Sequence, residues 1–228
     1  MLLLLLAGGA GGARAAVPDF QTFPASGDRL LLWLSSERGR AAPEAAAAQR
    51  LAERGITVWS LDLAGAYFLP QLPSSMEAVP TQDMVDWLNA ALDNGKLVAV
   101  YAVARAAVPL LRAVARLDAA RRGRLCVVLM HPNLYASAEA LSDASYLAPG
   151  RLDGLRVRVL QPQRSASTPW LPALLDHLAS QGAAVSHAVL DNLREGYWAR
   201  ETPTEYEVAE GRRLDAMLMH ELANWRCP

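Results

Sequence analysis

The chain has 228 residues, 52% of them hydrophobic and 20% charged, with a formal net charge of -1. That length and apolar content suit one doubly wound domain with a sizeable core. The near-zero charge offers no field that would draw nucleic acid or an anionic membrane surface. Two cysteines, Cys126 and Cys227, are too few for a disulfide framework, though one bridge between them stays open. No Cys–His spacing marks a zinc site, and no metal or cofactor is expected.

Leu2–Leu6 opens an apolar stretch that ends at Ala13-Arg14-Ala15. This is an h-region followed by an A-x-A cleavage signal, so residues 1–16 are read as a signal peptide and 17–228 as a single exported domain, periplasmic or secreted. The segment before the apolar run carries no Lys or Arg, and the run is too short to span a bilayer. The plainer alternative is an Ala/Gly-rich leader on a cytoplasmic protein.

Asp19–Phe23 and Arg29–Leu34 flank Pro24–Asp28 and read as a short hairpin whose second strand enters the main sheet. Pro43 begins a helix that runs to Arg54 and stops at Gly55. Ile56–Asp62 is the next strand, and Gly65–Val79 is a loop rich in Pro and Ser. A helix opens at Pro80 or Thr81 with Met84, Leu88, Ala91 and Leu92 on one face, and Gly95 ends it. The following run, Lys96–Val103, is continuously apolar after an Asn94-Gly95 turn, as in a strand buried on both faces. It turns sharply into a helix over Arg105–Arg121, in which Pro109 has to sit near the first turn.

Leu125–Met130 is a second two-sided apolar strand, closed by His131-Pro132-Asn133. Ala136–Gly150 is irregular or weakly helical, where lids are often inserted. Leu155–Leu160 and Ala184–Leu190 are further strands, separated by a helix from Thr168 to Gly182. Thr202-Pro203-Thr204-Glu205 reads as a capping box that opens a terminal helix. Strand and helix alternate with crossovers long enough for parallel pairing, which predicts an α/β three-layer sandwich around a mostly parallel, doubly wound sheet.

Leu32-Trp33-Leu34-Ser35, Val58-Trp59-Ser60-Leu61-Asp62-Leu63 and Pro132-Asn133-Leu134-Tyr135, placed in this order of elements, resemble the α/β-hydrolase fold over nearly the whole chain after the leader. Within it they look like a group of exported bacterial proteins with a degenerate catalytic triad. The resemblance implies a nucleophile elbow, G-x-S-x-G, at the turn after the central strand. The matching residues are Ala102-Val103-Ala104-Arg105-Ala106, so the nucleophile slot holds Ala104. With alanines in place of the flanking glycines, a relaxed elbow is expected. The acid slot falls on Gln161–Thr168, with Ser165 at its centre and no carboxylate. The histidine slot falls on Tyr197 and Trp198. A triad needs nucleophile, base and acid in contact, and all three slots are empty.

The expectation is therefore a catalytically silent binding or scaffold module. Its ligand would be a small apolar or anionic molecule, or a partner protein. Tyr67, Phe68, Tyr135, Tyr197 and Trp198 fall in loops after strands and form either a ligand pocket or a packed plug, the plug being favoured. Arg105, at a helix N-terminus, points to an anionic partner or to solvent. The alternative is an ester or thioester hydrolase with an improvised site, Ser35 or Ser36 with His131 and Asp62, residues that otherwise cap loops. His187 is read as a core or edge residue, and His177 and His220 as surface residues.

Overall fold

The computed structural model describes residues 20–137 and 144–223. The leader and Cys227 lie outside them, as does part of the Ala136–Gly150 stretch. Seven strands form one sheet: β1 Gln21–Phe23, β2 Arg29–Leu34, β3 Ile56–Leu61, β4 Leu97–Val103, β5 Leu125–Met130, β8 Arg156–Pro162 and β9 Ala184–Leu190. Their spatial order is β1-β3-β2-β4-β5-β8-β9, and every pairing is parallel except that of β1 with β3. A small antiparallel ribbon, β6 Tyr135–Ser137 with β7 Ser145–Tyr146, stands apart from the sheet.

The period-2 rule divides each central strand between two cores. Leu30, Leu32 and Leu34 of β2 face one side, and Leu31 and Trp33 the other; β4 splits in the same way between Val98, Val100, Ala102 and Ala99, Tyr101, Val103. The first face is covered by α3 Thr81–Leu92, α4 Ala107–Val114 and α6 Leu171–Ser180. The second is covered by α1 Ala42–Glu53 and α8 Leu214–Glu221. Helices on both faces of the sheet make the predicted three-layer sandwich, because a parallel sheet needs both faces covered.

The hairpin expected from residues 19–34 does not form: β1 crosses to the far side of β3, and β3 separates it from β2. The connection is pinned by Lys96, whose ammonium donates to the carbonyls of Ala25 and Gly27 and to Thr57 Oγ1 at 2.7–3.0 Å. Gly27 is required there, since a Cβ would lie 2.2 Å from the Gly55 carbonyl oxygen.

Three further boundaries differ from expectation. The Gly65–Val79 stretch contains the end of α2, Leu63–Ala66, and a 3-10 turn over Pro73–Ala78. The helix expected through Arg121 ends at Val114, and Asp118 caps a separate α5, Ala119–Gly123. The capping box lies two residues later than read, with Thr204 as N-cap and Glu207 closing it onto α7, Glu205–Arg212. Pro109 does fall in the first turn of α4. His187 lies exposed on the edge strand β9, and no helix among the described residues is long and apolar enough to cross a membrane.

Candidate functional site

A cleft of about 710 Å³ opens where the carboxyl ends of β2, β4, β5, β8 and β9 meet. Open parallel sheets bind ligands at this edge because the crossover loops leave a crevice there. Its floor is the β4–α4 turn. Ala104 holds φ +50, the left-handed region that L-residues other than Gly, Asn and Asp rarely enter. The relaxed elbow expected from the alanines is thus corrected. Two-sided burial of β4 and packing of α4, in which Ala106 and Ala107 are fully buried, force the chain through a sharp bend whichever residue sits there.

His131, immediately after β5, lines the same cleft, also at positive φ (+36). Its ring is tilted by 36° against that of Trp198, with centroids 5.9 Å apart, and its buried Nε2 has no hydrogen-bond partner among the described residues. Burial pushes the imidazole below its ordinary titration range, while the charges of Glu195 and Glu37 pull it back up. The ring is consequently neutral near pH 7, with a lone pair or proton to exchange.

The loop after β2 contributes Ser36 and Glu37. Ser36 Oγ accepts from the Arg38 amide at 3.2 Å. Glu37, 8% exposed, accepts from the backbone N–H of Arg105 at 3.3 Å, the amide next after Ala104. Ser35 is fully buried and does not line the cleft; its hydroxyl donates to Glu44 at 2.7 Å. The second oxygen of Glu44 accepts from the Trp198 indole at 3.0 Å. Burial raises the Glu44 carboxyl above the usual range, and these two bonds oppose the rise.

The loop after β9 brings Glu195, whose Oε1 accepts from both Ser165 and Ser167. The acid and histidine slots therefore do touch, through a serine pair and a carboxylate. A search confined to a carboxylate in one loop and an imidazole in the other passes over Glu195, although it stands beside Gly196 in the expected histidine loop.

The remaining residues singled out in the sequence are dispersed. Trp198 and Tyr135 line the cleft, whereas Tyr67, Phe68 and Tyr197 do not. Tyr67 donates to Asp83 at 2.6 Å, Phe68 is 95% exposed, and Tyr197 is packed edge-on against Trp198. Arg105 is buried and committed to Glu77, Asn133 and the Tyr135 carbonyl. Asp62 lies outside the cleft as the N-cap of α2, accepting from Gly65 and Arg40 amides. Cys126 is buried in β5 and carries no free thiol. The aromatics do not form the favoured plug, and the cleft is open.

This sheet order, with a strained turn after the central strand and the cleft above it, is the α/β-hydrolase fold. Solved structures bear that out. A putative dienelactone hydrolase from Klebsiella pneumoniae aligns with TM-score 0.61 at 15% identity, covering 88% of this chain and 89% of that one. An esterase from Pyrobaculum calidifontis aligns with TM-score 0.58 at 14% identity, covering 89% and 84%. A carboxylesterase from Mesorhizobium loti aligns with TM-score 0.55 at 15% identity, covering 86% and 93%. No protein-family model and no curated protein matches the chain.

The expectation of a catalytically silent module is overturned by these relatives, which are hydrolases and esterases. Emptiness of the three usual slots was the whole basis of that expectation. Beside those slots the cleft holds groups from other loops: Ser36 and His131 of the weighed alternative, and also Glu37 and Glu195.

Proposed function

We propose that the protein is a serine-type ester hydrolase whose nucleophile is Ser36 and whose general base is His131. The observation that carries this reading is that both residues line one cleft and His131 presents a neutral imidazole with an uncommitted Nε2. Among the described residues Ser36 Oγ hydrogen-bonds as an acceptor, from the Arg38 amide, so its proton remains available for transfer. His131 takes that proton as Oγ attacks the ester carbonyl, returns it to the leaving alcohol, and then activates water against the acyl-serine. Ser35 has no such role, because it is fully buried, does not line the cleft, and its hydroxyl is spent on Glu44. The names of the solved relatives support ester chemistry as the class.

Intact-mass analysis after exposure to a fluorophosphonate, alongside hydrolysis of p-nitrophenyl acetate and butyrate, tests the reading. One adduct is expected, retained in S35A and lost in S36A, with turnover in H131A reduced on the order of 10²-fold or more. An unlabelled wild-type chain, or an adduct that survives S36A, refutes it. The same spectrum gives the mature N-terminus and so tests export.

A further inference from the structure

Small-molecule sites are ordinarily lined by apolar and aromatic side chains with a few polar groups among them. The cleft that holds Ser36 and His131 departs from that pattern. Among the described residues no Leu, Ile, Met or Phe lines it, whereas four carboxylates and three guanidinium groups do. Two of those carboxylates are sunk in the wall, Glu44 at 3% exposure and Glu37 at 8%. An aliphatic chain laid beside them would strip their remaining water and return no hydrogen bond. The β4–α4 turn adds only two small apolar side chains, Val103 and Ala104, 1% and 7% exposed. The rim carries polar groups that nothing else uses. Arg38, in the loop after β2, and Glu201 and Thr202, between β9 and α7, line the cleft and are exposed; their side chains have no hydrogen bond or ion pair among the described residues. Tyr135 borders the same space with a braced ring, 5.2 Å from that of Tyr146, which stacks in turn on His177 at 5.1 Å.

We propose that the cleft takes short-chain esters, acetyl above all, of a neutral polyhydroxylated alcohol such as a sugar. This deepens the ester-hydrolase reading and rests on it. A hydroxyl both donates and accepts, so a polyol answers a free guanidinium and a free carboxylate at once: its hydroxyls accept from Arg38 and donate to Glu201. An anionic substrate would meet four carboxylates and a cationic one three guanidinium groups, while a neutral one meets opposite charges in near balance. The acyl group needs no long wall and finds none. In the reaction the acyl carbon passes from the sugar oxygen to Ser36 Oγ, and the sugar oxygen takes the proton that His131 drew from Ser36. Water then gives a proton to His131 and its oxygen to the acyl carbon; the carboxylic acid leaves and the proton returns to Ser36.

The test compares methyl 6-O-acetyl-glucoside with cyclohexylmethyl acetate, the same acetyl group on a ring without hydroxyls, by acetate release. For the wild type, kcat/KM is expected to be on the order of 10²-fold higher for the glucoside ester, as two hydrogen bonds to charged groups would supply. That ratio is expected to fall about tenfold in R38A and about tenfold in E201A, and less in E201Q, which keeps an acceptor. Across p-nitrophenyl acetate, butyrate and octanoate, kcat/KM is expected to fall, whereas an apolar wall would raise it about fourfold per CH₂. A wild-type ratio near one, a ratio unmoved in both R38A and E201A, or a rise toward octanoate overturns the proposal. Saturation-transfer NMR of the S36A chain with methyl glucoside reads the sugar contact without turnover. A signal from the sugar protons, weakened in E201A, is expected, and its absence overturns the polyol site. If S36A keeps the fluorophosphonate adduct, the ester-hydrolase reading fails separately, whatever the sugar signal shows.

Discussion

Ala104 and Ala106 are two alanines of one turn, both buried, that differ in backbone conformation: φ is +50 at the first and -60 at the second. Replacing either by glycine removes a buried methyl, worth about 0.8 kcal/mol. Either change also loosens the unfolded chain, costing about 0.4–1 kcal/mol. Only at Ala104 does glycine also remove the clash of Cβ with the backbone in the left-handed region, worth about 1–2 kcal/mol. A106G is therefore expected to cost about 1.5 kcal/mol, and A104G close to nothing, because relief of the clash offsets the first two effects at Ala104 alone. For a chain of this length the gap corresponds to about 3–6 °C in Tm. Differential scanning calorimetry with urea unfolding measures it. Equal destabilisation by the two variants would refute the claim that the turn after β4 is strained.

Returning a hydroxyl to that turn should create a second reactive serine beside His131, so A104S in the S36A background is expected to regain a fluorophosphonate adduct. An unmodified mass would mean that His131 does not face the turn. W198F keeps a ring against His131 but strips Glu44 of its indole donor. Leaving that buried acceptor short of a partner is expected to cost about 1–3 kcal/mol in urea unfolding, and an unchanged midpoint would count against the Glu44 bond. Glu207 is paired with Arg194 and closes the α7 capping box, which lowers its carboxyl from 4.5 to about 2. A depressed carboxyl contributes its stability fully above pH 4.5 and loses it as pH falls toward 2. E207Q should therefore flatten the acid slope of unfolding free energy in that window; an identical slope would exclude Glu207 as its source.

Two-sided burial was legible in the sequence. Lys96–Val103 and Leu125–Met130 are continuous apolar runs, and only the centre of a parallel sheet buries both faces of a strand. Their order among the helices determined the α/β sandwich and placed its loops at one edge. Position along the chain also determined that the turn after β4 would be sharp, although the alanines suggested otherwise. Side-chain identity informs local preference, while packing of β4 and α4 sets the backbone against it.

Tertiary structure decided everything that depends on which loops meet. β1 joins β3 and not β2, because Lys96, distant in sequence, anchors the connecting loop. Ser35 and Ser36 are neighbours with different fates, one fully buried with its hydroxyl on Glu44 and the other lining the cleft. Glu195 meets Ser165 and Ser167, about thirty residues earlier. Strand periodicity arises from short-range geometry and is written in local sequence. A cleft assembled from the ends of five strands is a long-range property, and only the completed sheet brings its chemistry together.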